Sequence, residues 1–156
     1  MIARTYWRLA VAAAAMLGAA NGVGAEAPDA AKPLLSDLML LTQFREVKLW
    51  YAEKADNWRL AAYELDQLRT TMGRIVALYP TTNTVVQAEL IREKTDPAVA
   101  QLKQAIDARD KAAFEEAYGR VTDACNACHE AAGYGFIAVR VPTKSPFGNQ
   151  LFEPQP

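Results

Sequence analysis

Between Leu34 and Ala55 the chain has no glycine or proline, and apolar residues return at helical spacing. This predicts a first helix over 34–55. Asp56-Asn57 interrupts it, and either side chain suits the N-cap of a new helix. Trp58, Ala61, Leu65, Leu68, Met72, Ile75 and Tyr79 then fall at alternating steps of three and four residues, an apolar seam of bundle type. The seam predicts a second helix over 58–78, closed by Pro80. So short a link makes the two helices antiparallel neighbours.

Thr81 to Thr84 reads as loop, and Val85 to Glu93 as a few helical turns. Asp96-Pro97 reads as a helix start, a capping carboxylate followed by proline at the first helical position. Val99, Leu102 and Ile106 give this short third helix its stripe. Asp110 caps a fourth, whose stripe runs through Phe114, Ala117, Val121, Ala124, Cys128 and Ala131 to a stop at Gly133 and Gly135. No convincing strand pattern appears. The expected fold is all-α, an antiparallel four-helix bundle with an irregular C-terminal tail. The Trp50, Tyr51, Trp58 and Tyr63 cluster is expected to form the core at the far end of the bundle.

The ends change the picture. Arg4 and Arg8 precede an apolar run from Leu9 to Ala20, and Val23-Gly24-Ala25 resembles a cleavage site. The run is short for a bilayer span, which takes about 20 residues. Residues 1–25 therefore read as a secretory signal peptide, with Glu26 the first mature residue. The remaining parts are a flexible lead-in over 26–33, a helical domain over 34–132, and a tail over 133–156. The tail holds Phe136, Ile137, Val139, Val141, Phe147 and Phe152, too many aromatic and β-branched residues for a disordered segment, so it is expected to pack on the domain. Loss of the two signal arginines takes the formal net charge from −1 to −3. Such a balance argues against nucleic acid or anionic membrane as partners, and nothing beyond the signal suggests membrane insertion.

The candidate chemistry sits in one pentapeptide, Cys125-Asn126-Ala127-Cys128-His129. C-x-x-C-H reads as a c-type haem attachment site. Each thiol adds across one vinyl group of a haem, and the following imidazole is an axial ligand to its iron. The chain has 2 cysteines and 1 histidine, and all of them lie here. On a helix these three side chains project from one face. Two other readings stand beside this one. An exported C-x-x-C pair can be a thiol–disulfide site, although that reading expects a βαβ setting. Zinc would want a fourth ligand from a distant pair.

A signal peptide, four helices and one C-x-x-C-H near the end of the last helix resemble the cytochrome c-prime group, exported bacterial cytochromes built as four-helix bundles. The resemblance covers roughly residues 34–132. It implies thioether links at Cys125 and Cys128, His129 as proximal iron ligand and a single covalent haem c. The chain departs from the group in running on past the haem helix into its long tail. With one histidine, bis-histidine ligation within the chain is excluded, and methionine is the natural alternative. In six-coordinate relatives a first-helix methionine is the sixth ligand, and Met39 resembles that position. Met39 also reads as a core filler, and Met72 fits the seam of the second helix as core. Arg45 or Lys48 could meet a haem propionate, though with Gln43 and Glu46 they read rather as the solvated face of the first helix.

The resulting expectation is a periplasmic electron carrier rather than an enzyme, serving a periplasmic redox partner protein, with a homodimer as a further candidate assembly. The alternatives are a five-coordinate haem protein binding nitric oxide or carbon monoxide, and a haem-free exported thiol–disulfide protein.

Overall fold

The computed structural model describes residues 31–83 and 85–156, so the signal-peptide reading and most of the lead-in lie outside the described residues. Helix α1 spans Leu35–Lys54 and α2 spans Trp58–Leu78. The link between them assigns the two polar residues different tasks. Asp56 takes a left-handed φ of 57°, the Asp56 N–H bonds to the Glu53 carbonyl and the Asn57 N–H to the Ala52 carbonyl. This is a Schellman closure of α1. The Asn57 side chain then caps α2, accepting from the Leu60 N–H at 3.1 Å.

Two-residue strands β1 (Thr81–Thr82) and β2 (Val85–Val86) pair antiparallel, in register Thr81↔Val86 and Thr82↔Val85. The sequence pattern predicts no strand here, and the structure corrects it. Asn83, with φ 54°, supplies a left-handed turn residue that lets so short a hairpin close.

Beyond it, α3 (Gln87–Leu90), a π-helical turn (Ile91–Thr95) and α4 (Asp96–Ala108) run on as one helix. α4 does start at Asp96 with Pro97 in its first turn, but the expected capping role of Asp96 is corrected. Asp96 is helical at φ −57°, ψ −40°, and its N–H reaches back five residues to the Ile91 carbonyl. Pro97 lacks an N–H and crowds the carbonyl four residues before it. One widened turn absorbs that conflict without breaking the helix. Arg109 ends α4 in the left-handed region at φ 54°. Asp110 caps α5 (Lys111–Ala131) by accepting from the Ala113 N–H at 3.0 Å.

The closest backbone packing is α1 on α2 and α4 on α5, with α2 against α4. The core is built from Leu49, Leu65, Leu68, Val99, Leu102, Ile106, Phe114, Ala117, Tyr118 and Val121. Trp50 lies 4.8 Å from Tyr118 between ring centroids, and Trp58 meets Phe114 edge-on at 6.2 Å. Tyr63, expected in this cluster, is instead 53% exposed. Ala131 is exposed and Ala132 buried, a one-residue correction to the stripe of α5.

Gly133 reverses the chain after α5. Its φ is 78°, its N–H bonds to the Glu130 carbonyl, and the Tyr134 N–H bonds to the His129 carbonyl at 2.7 Å. The tail then lies against the helices. Asn57 Nδ2 donates to the Phe152 carbonyl at 2.9 Å, and Phe152 is buried beside Tyr51. Phe147 meets Phe44 edge-on at 5.5 Å. At the other end, Tyr79 donates its hydroxyl to the Pro33 carbonyl at 2.7 Å and Lys32 lies over its ring, so the last lead-in residues are pinned to α2. Among the described residues no helix is long and apolar enough to cross a membrane.

Candidate haem site

Helix periodicity places Cys125, Cys128 and His129 on one face of α5, and that face borders two adjoining cavities of about 70 and 240 Å³. Four residues line both: Met39 of α1, Gln87 of α3, and Cys128 and His129. The smaller cavity runs inward to Glu46, Met72, Ile75, Ile91, Thr95 and Cys125. The larger opens toward Leu35, Thr82, Ala132, Tyr134 and Ile137. The structure thus brings together all four residues singled out from the sequence. Met72, read as core, also reaches the wall of the inner cavity.

Both thiols are free and half-buried. Burial pushes the Cys125 thiol well above its ordinary value, and the nearby Glu46 carboxylate adds to the effect. Burial likewise raises the Cys128 thiol, against the lowering effect of the Thr95 hydroxyl, whose Oγ1 lies 4.0 Å from Cys128 Sγ. Redox-active C-x-x-C pairs need the opposite, a thiol with a depressed pKa. Among the described residues no group of three or more His, Cys, Asp or Glu side chains is placed to hold a metal ion, which leaves the zinc reading without a ligand set.

His129 has a defined tautomer. Its Nδ1 lies 2.7 Å from the Ile137 carbonyl, which only accepts, so Nδ1 is the donor of this bond and Nε2 is the ring nitrogen left to face a metal. A carbonyl acceptor on the far nitrogen is the usual way to orient a metal-binding imidazole.

Other polar groups of the cleft are not marked by the sequence pattern. Glu46, placed on the solvated face of α1, is 6% exposed and lines the inner cavity. Thr122 donates to its Oε1 at 3.1 Å, and burial raises its pKa from 4.5 to about 7. Gln87 and Thr95 are buried cavity residues too, the latter turned inward by the π-helical turn. Arg45 is committed to Glu64 at 3.0 Å, and Lys48 lies over the Phe147 ring. Neither is the cation beside the cavities. A third cavity, about 430 Å³, adjoins the inner one through Gln43, Glu46 and Val139, and brings Arg140 and Lys144 of the tail to its wall.

Chemically, the site offers two unpaired thiols, an imidazole with a free Nε2 and a thioether on one apolar cleft. Such a donor set suits a covalently held porphyrin with histidine below the metal. No curated protein and no solved structure matches the chain. A family model does: that described as Cytochrome C' matches residues 42–131, from the middle of α1 to the end of α5. Fold, cleft and family match agree, and the chain belongs to the cytochrome c′ family of haem c proteins.

Proposed function

We propose that this protein is an exported mono-haem cytochrome of the periplasm that carries single electrons to or from a periplasmic partner protein. Cys125 and Cys128 would hold the haem as thioethers, with His129 and Met39 as the residues that would bind its iron. The observation that carries the reading is the hydrogen bond from His129 Nδ1 to the Ile137 carbonyl at 2.7 Å, on a side chain that shares its cleft with Met39 and both cysteines. It leaves Nε2 as the one ring nitrogen for a metal.

The haem supplies a reversible one-electron couple. The chain's own residues do the rest. Ile75, Ile91 and Leu35 keep the cleft apolar, and burial with a methionine ligand raises the potential relative to a bis-histidine site. Arg140 and Lys144, in no ion pair among the described residues, are the cations available to propionate carboxylates.

A second reading rests on the room around Met39. The outer cavity of about 240 Å³ borders this residue, and a five-coordinate iron there would bind nitric oxide or carbon monoxide. The ferrous spectrum separates the two. Electron transfer with Met39 bound predicts a low-spin spectrum unmoved by carbon monoxide, whereas a high-spin spectrum that shifts on adding the gas establishes the second reading.

A further inference from the structure

Asn126 is the first residue between the two cysteines. Its side chain makes two hydrogen bonds to a single residue of the tail: Nδ2 donates to the Val139 carbonyl at 2.9 Å, and Oδ1 accepts from the Val139 N–H at 2.8 Å. Asn126 and His129 are three residues apart on α5, neighbours on one helical face. Val139 and Ile137 are two apart on the tail, so the clamp sits beside the carbonyl that faces the imidazole.

Apolar packing does not hold that carbonyl. Phe136 is 82% exposed and Ile137 is 48% exposed. On its upstream side, Ile137 is fixed by the bond from its N–H to the Tyr134 carbonyl at 2.8 Å. On its downstream side the first hold is Asn126. The family match ends at residue 131, so it covers neither Ile137 nor Val139.

We infer that Asn126 is a positioning residue for the iron-binding imidazole. By clamping Val139 it keeps the Ile137 carbonyl on His129 Nδ1, which fixes the tautomer and makes Nε2 a stronger donor. A stronger donor favours the ferric state and lowers the potential. The redox consequence rests on the haem reading, whereas the tautomer does not.

His129 is the only histidine, so selective ¹⁵N-histidine labelling reports one imidazole. In the haem-loaded mature protein, the expected result is a protonated Nδ1 whose proton exchanges slowly. Asn126→Ala should speed that exchange at least tenfold and raise the midpoint potential, with haem content and helicity unchanged. Asn126→Asp, which still accepts from the Val139 N–H, should fall between the two. Wild-type exchange and potential in Asn126→Ala would overturn the inference. Should that variant not fold, wild-type values in Asn126→Asp would do the same, as would a wild-type His129 protonated only at Nε2. Haem content is measured separately, and its absence would defeat the electron-carrier reading while leaving the tautomer result to stand.

Discussion

Thr122 donates its hydroxyl to Glu46 Oε1 at 3.1 Å, joining α5 to α1 across 76 positions of sequence. A second bond reinforces the link, from the Tyr118 hydroxyl to the Glu46 carbonyl at 3.0 Å. These bonds bridge two helices whose backbones do not pack closely, and the cleft lies beside them. The carboxyl is held where water is scarce and a single neutral donor faces it, and its pKa rises accordingly.

This has a consequence for stability against pH. Unfolded, Glu46 ionises near 4.5, and folded near 7. Between those values the native chain holds a proton that the unfolded chain has released. The contribution of Glu46 is therefore fully present below 4.5, falls as pH rises, and levels off above about 7. The span is on the order of 3 kcal/mol. Glu46→Gln should lose this slope, so denaturation of both proteins across that window should give a stability difference that grows with pH. Parallel curves would contradict it.

Phe114 is fully buried among Trp50, Trp58 and Tyr118. Phe114→Ala removes the ring at the centre of this cluster and should cost about 3–5 kcal/mol in chemical denaturation. A loss under 1 kcal/mol would mean that the far end of the bundle is not packed this way.

Gly133 turns the chain from α5 into the tail at φ 78°. There is room for a side chain, since the nearest atom to an added Cβ is Asn83 Nδ2 at 3.8 Å. The penalty is therefore conformational. Gly133→Val should destabilise by about 1–2 kcal/mol and speed amide exchange at Val139, read by hydrogen–deuterium exchange. Unchanged protection at Val139 would show that the tail docks independently of this turn.

Met39 lines both cavities next to His129. Met39→Ala should convert the iron from low-spin to high-spin and open it to carbon monoxide. A spectrum identical to wild type would remove Met39 from the ligand set.

Much of this was legible in the sequence. The seam from Trp58 to Ile75 and the caps at Asn57 and Asp110 follow from local chemistry that needs no partner, and the motif at 125–129 carries its own spacing. Four features were not legible. Asp96-Pro97 carries the same signal whether it opens a helix or forces a widened turn within one, because proline satisfies both. Glu46 looks solvated by hydropathy, and only Thr122 on another helix makes its burial tolerable. The acceptor for His129 is a backbone carbonyl, and no side chain marks residue 137 for that role. Asn126 lies inside the motif at a position where any residue is allowed, so the pattern does not mark its amide.

The central claim is covalent: a haem carried on Cys125 and Cys128. Intact-mass spectrometry of the exported, purified protein tests it directly. The expected mass is that of the mature polypeptide plus one haem, retained after acid–acetone extraction. A mass equal to the bare polypeptide would contradict it.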